Sequence, residues 1–424
     1  MRAAPVMQSL PFDPADARAA LAQLPQSAAV FALYGSEAHA EPYIGRTPNL
    51  RARLERLLVP SARHPKRLQL AGRVRRIEWR GTGSEFESLL LQFHLLSKVY
   101  GTKSLERMHL RAPAFVRFLG SNPYPRVVVT HRPSLREADW AYGPFASRAA
   151  ADRYVDEVLK LFLLRRCTDD LQPDPSHPGC VYSEMKMCLA PCYKGCTDER
   201  YAAEAAAVEG FLATRGESRL VLLRTDREEA SAALEFERAA AIHAQVQRVE
   251  SVRALAPELV RPMSRLRAAI LQPSISPDAV AVFLFENGRM SGPADFSTVG
   301  MRIQNEQSGS SSLFAQPMAV EAVPESTPNS ASRPARAVLE ERMEAVLTEL
   351  AAEHAAPAQV ERQGHLALLK RWYYRPEARR TGEIFFPDAE GKWPIKSMLR
   401  GVGRVAAKSL AGNAPAQPSK PKHD

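Results

Sequence analysis

Cysteine is nearly absent from this chain. There are five among 424 residues, and none lies outside residues 167–196. No hydrophobic run is long enough to span a bilayer, and the first twenty residues, MRAAPVMQSLPFDPADARAA, lack a signal-peptide core. Together these absences argue against a disulfide-framed secreted domain and against a membrane protein, and lead us to expect a cytoplasmic chain. Acidic side chains are also short, 47 against 57 Lys and Arg, leaving a net charge of +10. That balance favours a polyanionic partner, most simply nucleic acid, over the alternative of an arginine-rich surface with no ligand. The apolar fraction of 45% and the length suit two or three globular domains.

The five cysteines read C-x12-C-x7-C-x3-C, with a fifth just beyond. Structural cysteines scatter through a core, so this bunching points to a bound metal or cluster rather than to packing of small apolar side chains. Zinc sites usually open with two cysteines two to four apart, whereas twelve residues separate Cys167 from Cys180. Four thiolates suit an iron–sulfur cluster as well as zinc. The expected set is Cys167, Cys180, Cys188 and Cys192, with Cys196 as a spare.

Toward the N-terminus, Pro14 and Pro25 bracket a short helix over 14–24. Strands are expected over 29–34 and 42–45. A helix over 49–58 places Leu50, Leu54, Leu57 and Leu58 on one face and Arg51, Arg53 and Arg56 on the other. Residues 46–80 hold eleven Lys or Arg against Glu55 and Glu78, a density suited to phosphate contact; the competing reading is a solvated helix face. A strand is expected over 122–131 and a helix over 147–164, leading into Cys167. Beyond the cysteines, Thr197 can cap a helix reaching about Thr214, and two further helices over 220–232 and 238–254 meet at Leu234-Glu235-Phe236-Glu237. Asn287-Gly288 after AVAVFLF signals a β-hairpin. Residues 301–336 read as a disordered linker. Leu339, Met343, Val346 and Leu350 mark a helix that packs in a core. Lys370-Arg371-Trp372-Tyr373-Tyr374-Arg375 could serve single-strand binding, but a helix end packing its rings is the preferred reading. The tail after Arg400 is expected to be basic and unstructured.

The stretch LLRRC…PGCVYSEMKMCLAPCYKGC resembles the cysteine-rich region of the UvrC family, the nuclease subunits of bacterial nucleotide-excision repair. Cys180-Val181-Tyr182 and Pro191-Cys192 stand in register with that family's pattern, which implies a 4Fe–4S cluster. Leu24-Pro25 with Ala29-Val30-Phe31, then Tyr43-Ile44-Gly45-Arg46 and Asn49-Leu50-Arg51-Ala52-Arg53, resemble its GIY-YIG nuclease domain. Glu85-Phe86-Glu87-Ser88-Leu89-Leu90-Leu91-Gln92 continues the likeness, and Tyr142-Gly143-Pro144-Phe145 is similar to a further family motif. Residues 230–249, ASAALEFERAAAIHAQVQRV, resemble the UVR motif through which such proteins pair with UvrB.

The resemblance implies an α/β (α+β) fold, a small mixed sheet with flanking helices followed by the cysteine region, a UVR-type helical hairpin and a short β segment. The corresponding division is 1–110 nuclease-like, 111–200 cysteine-bearing, 201–256 hairpin, 257–300 β-rich, 301–336 linker and 337–424 helices with a basic tail. It covers about residues 20–300. After Gly300 only Asp388 and Asp424 remain among aspartates, so the family's RNase H-like and helix-hairpin-helix parts are not expected here.

Within the nuclease pattern, Tyr43 and Arg53 keep the family's residue types, and Arg46 replaces a lysine. Phe31 stands where the first catalytic tyrosine belongs, Gln92 where a metal-binding glutamate belongs, and Ser104 is nearest to a missing asparagine. For an active enzyme, Glu85 or Glu87 would have to supply the carboxylate, although each is expected to point differently from Gln92. The favoured expectation is a DNA-binding adaptor of excision repair with a degenerate site, contacting DNA through Arg46, Arg51 and Arg56 and a UvrB-type protein through the hairpin. The alternative is an active excinuclease subunit that nicks damaged DNA with Mg²⁺ or Mn²⁺.

Overall fold

A computed structural model describes residues 7–37, 40–59, 70–168, 170–299, 301, 335–352 and 357–412. The expected linker over 301–336 lies almost wholly outside them, as do Arg63, Lys66 and Arg67 of the basic stretch. Three four-stranded sheets organise the chain.

The first contains β1 (Gln8–Pro11), β2 (Ala29–Gly35), β3 (Tyr43–Thr47) and β4 (Val74–Gly81), in the order β1-β4-β2-β3. Every pairing is antiparallel. The α+β class therefore holds, while the expected mixed sheet proves antiparallel in every pairing: the short β2–β3 connection can only make a hairpin, and β4 returns antiparallel to β2 after α2. Helix α1 (Ala17–Ala22) and α2 (Leu50–Leu58) cover one face. Asn49 caps α2, and Leu50, Leu54, Leu57 and Leu58 pack on Phe31, Leu33 and Trp79. Strand β4 is hard to read from sequence because arginines at 75, 76 and 80 interrupt Val74, Ile77 and Trp79.

Helix α3 (Glu85–Tyr100) is capped by Ser84, whose side chain accepts from the Glu87 amide, and is followed by the short α4 (Lys103–Arg107). Ser104 is fully buried there, donating to the Gly101 carbonyl and touching Ser97.

The second sheet holds β5 (Ala114–Phe118), β6 (Val127–Thr130), β7 (Ala141–Phe145) and β8 (Arg261–Pro262). Its core continues into α5 (Arg148–Leu159), α7 (Asp198–Ala213), α8 (Glu217–Ala232) and α9 (Phe236–Ala254), with the single turn α6 (Val181–Glu184) in the cysteine loop. Thr197 caps α7 as expected. Helix α5 stops five residues short of the expected end. The chain then runs extended so that Phe162 and Leu164 can enter this core.

The third sheet has β9 (Ala268–Pro273), β10 (Ala279–Glu286), β11 (Arg289–Ser297) and β12 (Glu383–Phe385), with β12 paired to β9. Asn287 and Gly288 both take positive φ, the conformation a two-residue type I′ turn demands. Both faces of β10 are buried. Val280, Val282 and Leu284 meet α10 (Ala335–Ala351) and α12 (Ile395–Gly412) through Met343, Leu350, Met398 and Val402. Phe283 and Phe285 meet α3 and α11 (Gln359–Tyr373) through Phe86, Phe93, Leu366 and Trp372. The described residues of 257–299 and 337–412 thus meet in one layer. The expectation of an unstructured tail after Arg400 is corrected over 401–412, where the helix continues and buries Val402, Val405 and Ala406; residues 413–424 lie outside the described residues.

Helix α11 crosses α3 so closely that any side chain at Gly364 would collide with the Phe93 ring. Gly364→Ala is expected to destabilise the protein by about 1–3 kcal/mol, because overpacking outweighs the gain in helix propensity. Urea unfolding checks this; an unchanged midpoint would mean that the helices separate freely.

Candidate functional site

On the first sheet, β2 and β3 pair Phe31 with Gly45 and Leu33 with Tyr43. Phe31 is 0% exposed, its ring tip lying 2.8 Å from where a Cβ on Gly45 would stand, so this position needs glycine. Tyr43 is 36% exposed, and the Arg53 guanidinium donates to its hydroxyl across 3.5 Å. The hairpin thus brings Tyr43 and Arg53 together at the surface with the Phe31 ring beneath, its centroid 6.1 Å from that of Tyr43.

The carboxylates that open α3 are both engaged. Glu85 accepts two bonds from Arg375 of the C-terminal region, at 2.8 and 3.0 Å, and lies 3.5 Å from Arg46. The Arg375 hydrogen bonds, aided by the charges of Arg375, Arg46 and Arg371, hold its pKa below the ordinary glutamate value. Glu87 is buried and accepts from the Gly83 amide at 2.8 Å; burial pushes its pKa up. Seven residues make two helical turns, so Glu85 shares the Gln92 face, contrary to expectation, but sits about 10 Å away along the axis. Glu87 does point elsewhere. Gln92 itself is half-buried.

The three arginines expected at DNA differ in their freedom. Arg51 Nε donates to the Leu24 carbonyl at 2.8 Å, tying α2 to the end of the N-terminal helix. Arg56 Nε folds back to the Ala52 carbonyl at 3.1 Å yet stays exposed, and Arg46 is exposed beside Glu85.

The Lys370–Arg375 stretch is an internal fastener. Trp372 is buried, with its indole N–H donating to the Thr381 carbonyl. The Tyr374 hydroxyl donates to the Pro144 carbonyl, and Arg375 holds Glu85. A lone basic-aromatic hexapeptide carries no signal for a partner 290 residues away.

The cysteines occupy the loop between α5 and α7. Burial, offset by the Ala190 amide, pushes the Cys188 thiol up to about 11, with further contributions from Cys167, Cys192 and Cys180 as neighbours. The immediate charged neighbours of Cys196 are Asp198 and Arg200 instead. Among the described residues no three sulfurs lie within 4.8 Å of one another, whereas thiolates sharing one zinc would stand about 3.8 Å apart. Sequence reasoning missed Arg165. It is 1% exposed, donates to Cys167 Sγ at 3.6 Å and to the Tyr124 carbonyl at 3.0 Å, and so sets a cation beside a prospective thiolate. Its place two residues before Cys167 was the available signal. The loop itself has few apolar anchors, mainly Ala190, Pro191 and Cys192.

Helices α8 and α9 form an antiparallel hairpin fixed by Leu220, Leu223, Val246 and Val249 inside and by Glu217 with Arg224 and Arg253 outside. At its tip Leu234 and Phe236 are 70% and 68% exposed, beside Glu235 and Glu237. Among the described residues no helix is long and apolar enough to cross a membrane.

Comparison with known proteins matches residues 115–211 to the family described as "UvrC/Cho excinuclease, middle domain". This span runs from β5 through the cysteines into α7. The UvrABC system protein C of Alcanivorax borkumensis is 31% identical over 210 residues, 50% of this chain and 34% of that protein. Its counterpart in Nitratidesulfovibrio vulgaris is 30% identical over 269 residues, 63% of this chain and 37% of that protein. The matched part therefore spans little more than a third of these relatives. No solved structure gives a significant match.

Proposed function

We propose that this chain, a relative of the UvrC family over about half its length, is a DNA-binding adaptor of nucleotide-excision repair whose nuclease-type site no longer cuts. One observation carries the reading. Phe31 is sealed beneath Gly45 without a hydroxyl, Gln92 is an amide, and the carboxylates nearest to it on α3 are held by Arg375 and by the Gly83 amide. What stays exposed is Tyr43, Arg46, Arg56 and part of Arg53, a surface able to grip phosphate. A second reading, metal-dependent incision with Mg²⁺ or Mn²⁺, rests on the retained Tyr43–Arg53 pair.

The four thiols Cys167, Cys180, Cys188 and Cys192 would hold a 4Fe–4S cluster. The twelve residues between Cys167 and Cys180, where zinc sites usually open with two to four, support that assignment, and the buried Arg165 cation beside Cys167 would stabilise a thiolate ligand there. Such a cluster would supply rigidity to a loop with little core. The hairpin tip would dock a UvrB-type protein through Leu234 and Phe236, since exposed apolar side chains ringed by charge suit a partner surface.

DNA binding tests the adaptor reading. With about six to ten phosphate contacts, affinity is expected to fall about 10³–10⁵-fold between 50 and 200 mM salt. Arg53→Ala with Arg56→Ala is expected to reduce the log–log slope by about 1.8. Arg51 is left intact because it holds the Leu24 carbonyl. An unchanged slope would remove this surface from the DNA contact.

A further inference from the structure

We propose that His94, Glu361 and His365 form a binding site for a zinc-type divalent cation, which staples α3 to α11 on the face of the third sheet that both helices cover. Their ligand atoms all lie within 4.8 Å of one another, and they are the single such group among the described residues. Glu361 and His365 are four apart on α11, so they share one face. His94 arrives from a helix 271 residues away and sets its Nε2 2.8 Å from that of His365.

Two imidazoles and a carboxylate are a donor set that zinc accepts, with a fourth position left for water. The protonation states also suit it. His365 is 0% exposed, and burial, with His94 and Arg289 as neighbours, keeps its pKa well below the ordinary histidine value. Burial thus favours the neutral imidazole, the form that ligates a metal. Its Nδ1 faces the Met290 amide at 3.1 Å, and the Gly288 carbonyl is also within hydrogen-bond reach of this ring. With the proton on Nε2, the ring bridges Met290 and His94 and no metal fits. With the proton moved to Nδ1, Nε2 turns its lone pair to the ion; this exchange gives up the bond that Nδ1 accepts from the Met290 amide, and the Gly288 backbone beside the ring offers the replacement acceptor.

Two nitrogens on one tetrahedral zinc stand about 3.3 Å apart, so loading has the rings part by about half an ångström. Arg289 lies 3.5 Å from Glu361 and competes for its carboxylate. That competition makes affinity moderate rather than extreme. The position makes sense mechanically, because Phe93 and Gly364 beside the ligands pack so tightly that only glycine fits between the helices.

The test uses the full chain, stripped by chelator and titrated with Co²⁺. Cobalt on nitrogen and oxygen gives weak visible bands, while cobalt on thiolate adds intense near-ultraviolet bands, so any binding at cysteines emptied by the chelator is told apart from binding at this site. Glu361→Gln and His94→Gln are each expected to weaken the visible-band site at least tenfold and to leave the thiolate bands unchanged. Zinc is expected to raise the melting temperature of the unmodified chain more than that of either variant. Glu361→Gln preserves shape and leaves the histidine pair intact, so it separates metal binding from a merely hydrogen-bonded pair. Equal titrations for all three folded proteins, or no visible-band site in the unmodified chain, would overturn the proposal.

Discussion

Nicked, mismatched or damaged duplex incubated with the purified chain and Mg²⁺ or Mn²⁺ is expected to remain uncut. In-line hydrolysis of a phosphodiester needs a polarising cation and a group that positions or deprotonates water. Mg²⁺ sheds its water reluctantly, and a neutral amide such as Gln92 offers it one weak oxygen where a carboxylate offers charge. Glu85 cannot substitute without abandoning two bonds to Arg375, and it lies two turns from Gln92. Glu87 is buried toward Gly83. Losing the hydroxyl at Phe31 alone removes acid–base help usually worth about 10²–10⁴ in rate. Arg53, still beside Tyr43, then acts as a phosphate clamp. The double variant Phe31→Tyr, Gln92→Glu is the natural comparator, since both exchanges nearly conserve volume. Metal-dependent cleavage by the unmodified chain, abolished by Arg53→Ala, would sink the adaptor reading and establish the incision alternative.

Cys188→Ser is expected to have the largest structural effect. Protein purified without oxygen should be brown and contain iron and sulfide; the variant should lose both and become sensitive to protease within residues 167–196. Cys188 is the sulfur that has all of Cys167, Cys192 and Cys180 as neighbours. Much of the loop's order would come from ligand binding, because so few of its side chains reach a core. Cys196→Ser should be tolerated, as its neighbours are Asp198 and Arg200. Colourless protein with stoichiometric zinc would select the zinc assignment, and metal-free protein with an ordered loop would reject both.

Some of this was written locally in the chain. Asn49, Ser84 and Thr197 each precede a helix, and the side chain of each accepts the amide it is placed to cap. Asn287-Gly288 makes a hairpin because few other pairs take two positive φ values at low cost. The leucine stripe of α2 follows from the 3.6-residue period, and the burial of both faces of β10 from its unbroken apolar run. The phenylalanine at 31 and the amide at 92 were equally legible, since each is a residue type at a position of the resembled motif.

What the sequence could not determine are relations between distant segments. The fastening of Glu85 by Arg375 spans 290 residues and the meeting of His94 with His365 spans 271; no local pattern marks either partner. Lys370–Arg375 offers charge and rings to any surface, and only packing decided that Trp372 and Tyr374 turn inward. The end of α5 was set the same way, by a core that gains more from Phe162 and Leu164 than the helix gains from another turn. The sequence by itself determined the caps, the hairpin turn and the apolar stripes, because each is a property of residues within a few positions of one another. Tertiary structure alone decided which carboxylates are spent, where the C-terminal segment lies and which histidines meet, because those depend on burial shared between elements remote in the chain.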